Sequence, residues 1–194
     1  MVTAMQDVKH GMTIEQFIEF YDEQPDGKWE LIEGVPTLAP TPTDYHQMIV
    51  GNLQVALTRI RDDQQAAWIP LPGVGTRVPV SPRSLPQPDL MVKAEPGTGS
   101  HTSHEAIVLF EVLSLSNRKA DRDWRHRVYS SVPNCQHYVT ISQSKPIVIR
   151  HDRANDWKAT EFKTLDAVLY LPALEARISL NAIYRDTPVA RKAS

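Results

Sequence analysis

The sequence predicts an α/β fold with a central sheet flanked by helices, and three observations favour this class. The run Ala106–Leu113 is the most strongly β-like of the chain and is typical of a buried central strand. Apolar residues recur at helical spacing over residues 43–64 and 119–131, on either side of that run. Shorter β-rich runs, separated by Pro and Gly turns, lie between and after these helices.

Composition limits the classes of protein to which the chain can belong. Its 194 residues are enough for one domain with a sizeable core. The net charge of −2 excludes a globally basic nucleic-acid binder, so such a partner would have to meet a local basic patch. Cys135 is the only cysteine, which excludes a disulfide framework and a CxxC site. Without a secretion signal in residues 1–10 or an apolar run of membrane-spanning length, we expect a cytoplasmic protein with no membrane association.

A helix and a β-hairpin are predicted near the N-terminus. Thr13 has the features of an N-cap, with Gln16 three residues on to complete a capping box. Residues 29–33 and Val35–Leu38, joined at Gly34, predict two short paired strands. Glu30 and its neighbour Glu33 are therefore candidates for a site, although a glutamate on a hairpin more commonly faces solvent.

The remaining elements follow in order, and the segments at both ends are predicted to be flexible. The helix over 43–64 carries His46 in its first turn, where a histidine is more often a surface or capping residue than a functional one. The domain is predicted to span residues 12–185, with flexible segments over 1–11 and 186–194. Strands are predicted at 67–71, 74–80, 88–92, 106–113, 136–141, 146–151, 157–162 and 168–171, and further helices at 119–131 and 180–184.

Two carboxylates occupy unusual positions in the predicted strands. Asp89 stands at the start of one apolar run and Glu111 near the close of another. Burying an ionised carboxylate costs several kcal/mol unless it is paired or binds a cation, so the pattern suggests a divalent metal site. Two other interpretations are open: Asp89 could cap a turn, and Glu111 could form a structural ion pair with an arginine such as Arg125. A zinc site built on His101 and His104 is a weaker alternative, since partner cysteines are lacking.

The chain also resembles a known family through an ordered set of motifs. It is similar to the Uma-type family of restriction-endonuclease-like proteins in the PD-(D/E)xK nuclease superfamily, from about Met12 to Tyr184. No single motif is specific, but their order is. The motifs are Glu30-Leu31-Ile32-Glu33-Gly34, His46-Gln47, Pro88-Asp89, Glu111-Val112-Leu113-Ser114, Asp121-Arg122 with Tyr129, and His137-Tyr138-Val139.

The resemblance implies a restriction-endonuclease-like mixed central sheet and a metal-dependent endonuclease acting on nucleic acid, with DNA as the expected substrate and a homodimer as the expected assembly. Asp89, Glu111, the carbonyl of Val112 and Glu30 would hold Mg²⁺, with Mn²⁺ as a substitute. His46 matches a histidine found at this helix start in the family.

The departure from the superfamily pattern concerns its lysine. The position two residues beyond the second acid is Leu113, and alignment of the following helix places Arg125 where related sequences offer a lysine. Arginine binds phosphate bidentately but does not lose its proton at ordinary pH. Lys119 is an alternative source of the ammonium group. A catalytically silent nuclease-fold module, for nucleic-acid binding or protein interaction, is therefore the rival hypothesis.

Overall fold

The computed structural model describes residues 11–24, 26–94, 102–114 and 118–191. Of the predicted flexible N-terminus over 1–11, all but Gly11 lies outside the described residues. The helices are α1 (Ile14–Asp22), α2 (Asp44–Gln64), α3 (Lys119–Ser130), α4 (Leu180–Ile183) and α5 (Pro188–Arg191). The strands are β1 (Trp29–Ile32), β2 (Val35–Leu38), β3 (Trp68–Pro72), β4 (Gly75–Thr76), β5 (Leu90–Ala94), β6 (Thr102–Ser103), β7 (Ala106–Leu113), β8 (His137–Ser142), β9 (Val148–Asp152), β10 (Lys158–Phe162), β11 (Val168–Leu171) and β12 (Ala176–Ser179).

A mixed six-stranded sheet forms the centre of the fold. Its strand order is β10-β9-β8-β7-β5-β3. The pair β7 and β8 is parallel, and the connection between them contains α3, as a parallel pair requires. The other neighbouring pairs are antiparallel. The predicted fold class, an α/β protein with a mixed central sheet, is confirmed.

Helix α2 covers one face of this sheet. Thr43 caps it by accepting a hydrogen bond from the N–H of His46 at 3.2 Å, which satisfies one of the free amides of the first turn. Leu53 and Leu57 of the helix are fully buried and belong to the same cluster as Val108 and Phe110 of β7. This larger core cluster packs α2 against β7.

Helix α3 covers the other face. Val128 and Tyr129 are its buried residues, and they pack in a second cluster with Met91 of β5 and Leu109 of β7. Side chains alternate between the faces of a strand, so Glu111 points toward α3 as Leu109 does. Asp89 immediately precedes β5 and contacts His46 at the start of α2.

The N-terminal helix and hairpin form as the sequence predicts. The Thr13 and Gln16 side chains make a complete capping box at the start of α1. Strands β1 and β2 pair antiparallel, and a backbone bridge from Leu31 to Leu85 joins the hairpin to the segment that leads into β5. This bridge places β1 beside the start of β5.

Two predicted segments differ in the structure. The strand predicted over 74–80 is reduced to β4, because Pro79 has no N–H and the Val78 carbonyl instead closes a turn with the N–H of Ser81 at 3.0 Å. The predicted flexible tail over 186–194 includes α5, in which Val189 packs on the main core; residues 192–194 lie outside the described residues. Among the described residues, no helix combines the length and apolar character needed to cross a membrane.

Candidate active site

Asp89 and Glu111 lie beside the same end of the pairing between β5 and β7. This pairing begins with Leu90 opposite Phe110, and Asp89 immediately precedes Leu90, with its N–H donating to the Phe110 carbonyl at 3.1 Å. The N–H of Val112 donates to Asp89 Oδ2 at 2.8 Å. The structure thus brings together the two carboxylates that the sequence singled out.

Asp89 is surrounded by hydrogen-bond donors. Lys28 Nζ lies 3.0 Å and His46 Nε2 3.3 Å from Asp89 Oδ1, while Val112 binds the other oxygen. Burial raises the pKa of Asp89, but the hydrogen bond from His46, the Lys28 ammonium and the Val112 N–H together outweigh it and lower the pKa to about 2. Asp89 is therefore ionised near neutral pH.

Glu111 is held differently. It is 7% exposed, and its Oε1 atom accepts from Arg125 Nη1 at 3.0 Å and from the Tyr129 hydroxyl at 2.8 Å. Burial raises the pKa of Glu111 to about 7, although the Arg125 guanidinium acts in the opposite direction. The ion pair with Arg125 that the sequence left open for Glu111 is present.

Arg125 links Glu111 to Glu30. Its Nη1 and Nη2 atoms donate to the two oxygens of Glu30 at 3.1 and 2.7 Å, a bidentate arrangement that suits the planar guanidinium. The Tyr129 hydroxyl lies 3.2 Å from Nη1, and Asp121 lies 3.6 Å from Nε, one turn earlier on α3. All three nitrogen atoms of the Arg125 guanidinium therefore have a partner within the site.

Glu30 belongs to the same buried network. It is 3% exposed, and its Oε1 atom also accepts the N–H of Gln87 at 2.6 Å. This bond ties β1 to the segment just before Asp89. Both oxygens of Glu30 are therefore directed at protein donors.

The site opens into a cleft of about 370 Å³. Its walls include the start of α2 with His46, the segment of residues 39–43 and the chain around Gly73, as well as Ser114 and Gln143. Lys28, Glu30, Asp89, Glu111, Val112 and Arg125 line it. The side chains to which the family resemblance gives a place in the site, together with Val112, therefore border one cavity: they are those of Glu30, His46, Asp89, Glu111 and Arg125.

Lys28 is the site residue that the sequence analysis missed. It immediately precedes β1, two residues before Glu30, and alternation along the chain places residues 28 and 30 on the same side. That spacing was the available signal, but only the bridge between β1 and the chain before β5 brings Lys28 to Asp89. Burial acts to lower the pKa of Lys28, but the carboxylates of Asp89, Glu111 and Glu30 together outweigh burial and raise that pKa.

The other candidates lie elsewhere. Lys119 is 81% exposed and pairs with Asp123 on the surface of α3. Glu33 accepts from Ser81 and Trp124 in the hairpin turn. For the alternative zinc site, His101 lies outside the described residues and His104 is exposed.

The carboxylates of the cleft suit Mg²⁺ better than they suit a metal that needs three or more protein ligands. Among the described residues, no group of three or more His, Cys, Asp or Glu side chains is arranged to hold a metal. Mg²⁺ needs fewer protein ligands than zinc does, because it is usually bound by one or two carboxylates together with waters and substrate phosphates. Asp89 and Glu111 fit that looser requirement, because both line the cleft together with Glu30, and the cations paired with these three carboxylates among the described residues are Lys28 and Arg125.

The mixed sheet, with an acidic pair on adjacent strands and a helix carrying a cation above it, defines a nuclease-like α/β fold. Residues 14–182 match the family model Uma2, described as a putative restriction endonuclease, and the chain belongs to this family. A solved structure described as a putative nuclease belonging to DUF820, from Anabaena variabilis ATCC 29413, has the same fold with a TM-score of 0.72. The two chains are 15% identical, and the match covers 89% of this chain and 97% of that one. No curated protein matches the chain.

Proposed function

We propose that this protein is a metal-dependent endonuclease that hydrolyses phosphodiester bonds of nucleic acid, with DNA as the substrate. The observation that supports the proposal most directly is that Asp89 and Glu111 line one cleft, within a network that also contains Glu30, Lys28 and Arg125. Family membership supports the same reaction class.

Asp89, Glu111 and the carbonyl of Val112 would hold Mg²⁺, or Mn²⁺ as a substitute. Bound there, the ion would lower the pKa of a coordinated water and offset negative charge on the phosphate oxygens. Glu30 supports the pair through Arg125, since both of its oxygens accept hydrogen bonds from that side chain.

Arg125 acts in this proposal as a positioning residue. Its ion pairs hold the Glu111 carboxylate at a fixed orientation beside Asp89, and Tyr129 donates to the same oxygen. A carboxylate fixed in this way keeps its geometry when a highly charged substrate approaches. His46 completes the set by donating to Asp89 from the first turn of α2.

A second function, that of a catalytically silent nuclease-fold module, is favoured by one specific observation. Lys28, His46 and Arg125 already contact oxygens of Asp89 and Glu111, so both carboxylates have protein partners without a metal. The two functions differ in metal affinity. A nuclease site should raise the melting temperature when Mn²⁺ or Mg²⁺ is added, whereas a silent module should show no metal-dependent shift.

The test is plasmid cleavage in Mg²⁺ or Mn²⁺ by wild type, Asp89→Ala and Glu111→Ala. Wild type is expected to nick the plasmid, and both variants are expected to lose that activity. Asp62→Ala, which alters an exposed carboxylate near the end of α2, is the matched control and should cleave like wild type. Equal cleavage by all four proteins would contradict the proposed site.

A homodimer is part of the proposal, since nucleases that cut both strands of a duplex often pair two sites and isologous dimers are the commonest assemblies. Sedimentation or light scattering of the purified protein, with and without duplex DNA, measures this directly. A monomer under both conditions would contradict it.

A further inference from the structure

We propose that Lys28 is the lysine of this active site and that its ammonium group contacts the scissile phosphate. This inference rests on the proposed function and assigns a substrate-contacting group to the same cleft. Sequence order alone offers Arg125 and Lys119 for the task, and the geometry favours neither of them.

Arg125 is committed to the acidic residues. Its guanidinium donates to both oxygens of Glu30 and to Glu111, and the side chain is only 13% exposed. Contact with a phosphate would require Arg125 to leave at least one buried carboxylate unpaired, which is costly because that charge is already removed from water. Arg125 therefore keeps the acids in place and is poorly disposed to meet substrate.

Lys119 lies too far outside the network to take part. Its side chain is 81% exposed and pairs with Asp123 on the same helix, at i,i+4 spacing. It is absent from the residues that line the cleft.

Lys28 combines a fixed backbone with an accessible ammonium group. Its carbonyl accepts the N–H of Ala39 at 2.8 Å, and β1 begins at the next residue, so the start of the side chain is anchored to the hairpin. The side chain itself lines the cleft and is 31% exposed. Its four-carbon stem lets the ammonium group shift between partners that lie close together.

The partner that Lys28 holds is one of the two proposed metal ligands. Lys28 Nζ lies 3.0 Å from Asp89 Oδ1, an oxygen that His46 also approaches. If Asp89 ligates a divalent cation, electrostatic repulsion between the two cations favours movement of the ammonium away from that oxygen. A phosphate bound beside Asp89 would offer anionic oxygens within reach of the Lys28 ammonium group.

At that position Lys28 would donate a hydrogen bond to a non-bridging phosphate oxygen and stabilise the negative charge that develops there during hydrolysis. The group stays protonated throughout and takes no proton from the attacking water. The lysine that contacts the phosphate would thus come from the chain before β1, whereas related sequences offer a lysine from the helix after β7.

The experiment compares wild type with Lys28→Met, Lys28→Gln and Lys28→Arg, and uses Lys119→Met as the matched control. Three quantities are measured: the single-turnover cleavage rate of a labelled duplex in Mn²⁺, the Mn²⁺ affinity by calorimetry without nucleic acid, and the melting temperature. The two neutral variants are expected to cleave about 100-fold more slowly. Removing a cation beside Asp89 should also tighten Mn²⁺ binding, on the order of tenfold. Lys28→Arg should recover part of the rate, and Lys119→Met should match wild type.

The outcomes separate this inference from the proposed function. If wild type cleaves and the neutral variants cleave within about threefold of it, Lys28 has no catalytic task and the nuclease proposal survives. If the neutral variants lose cleavage and Mn²⁺ binding together while remaining folded, Lys28 acts only by supporting Asp89, and the inference is overturned. If wild type itself cleaves no nucleic acid in either metal, the inference fails together with the function on which it rests.

Discussion

Replacing Arg125 by Met tests whether the buried ion pairs organise the site. In the folded protein this change leaves Glu30, which is 3% exposed, and Glu111, which is 7% exposed, without their shared cation. Removing one partner of a buried ion pair costs about 3–5 kcal/mol, because the remaining charge is desolvated and unpaired. We therefore expect a loss of free energy of unfolding in this range.

The loss is large enough to be read from thermal unfolding. For a domain of this size, each kcal/mol lowers the melting temperature by about 2–4 °C, so the expected fall is about 6–20 °C. Urea unfolding gives the same free energy independently. Arg127→Met makes the same chemical change at an exposed position of α3 and should alter stability by no more than about 0.5 kcal/mol.

Adding Glu30→Gln to Arg125→Met refines the interpretation. The second change removes one of the two unpaired charges, so the double variant should be more stable than the sum of the single effects implies, by about 0.5–3 kcal/mol. A loss below about 1 kcal/mol for Arg125→Met would refute the reasoning, because such a value is typical of a solvated surface pair.

Three further predictions concern the metal, the core and a helix cap. Burial raises the pKa of Glu111 to about 7, and a metal binds the ionised form of the carboxylate. The Mn²⁺ affinity should therefore increase about tenfold per pH unit below pH 7 and level off above it. Calorimetry between pH 6 and 8 measures this dependence, which should be absent in Glu111→Gln. Leu57→Ala removes a fully buried side chain under the sheet and should destabilise the protein by about 2–5 kcal/mol in urea unfolding, whereas Val55→Ala on the exposed side of α2 should cost little. Thr43→Ala removes the α2 cap and should cost about 1 kcal/mol in the same assay, and an unchanged midpoint would show that the bond to His46 contributes nothing.

Local patterns were sufficient to predict much of the fold. The capping box at Thr13, the long amphipathic helix after Thr43 and the apolar run Ala106–Leu113 each carry their signal within a few residues. The strand predicted over 74–80 was wrong beyond Thr76, because Pro79 and the turn closed by Val78 and Ser81 oppose the β-propensity of that segment. The flexibility predicted for the tail does not hold for Val189, because the burial of this residue depends on core residues that are distant in sequence.

The sequence was sufficient to predict those site residues whose positions follow from the order of strands and helices along the chain. Asp89 and Glu111 stand at strand positions that the sequence marks as unusual, and Arg125 lies on the helix that follows the second strand. Lys28 could not be predicted in this way, because its contact with Asp89 joins residues 61 positions apart. That contact depends on the pairing of the N-terminal hairpin with the chain before β5, which is a property of the tertiary structure.

The most direct measurement of the central claim is a crystal structure of the protein with Mn²⁺, with the metal located by its anomalous scattering. We expect one strong peak between Asp89 and Glu111, at about 2.0–2.3 Å from carboxylate oxygens, with Arg125 still bound to Glu30 and the Lys28 ammonium moved off Asp89. An ordered cleft with no peak, and with Lys28 still paired to Asp89 at saturating Mn²⁺, would contradict the claim that this is a metal-dependent nuclease site.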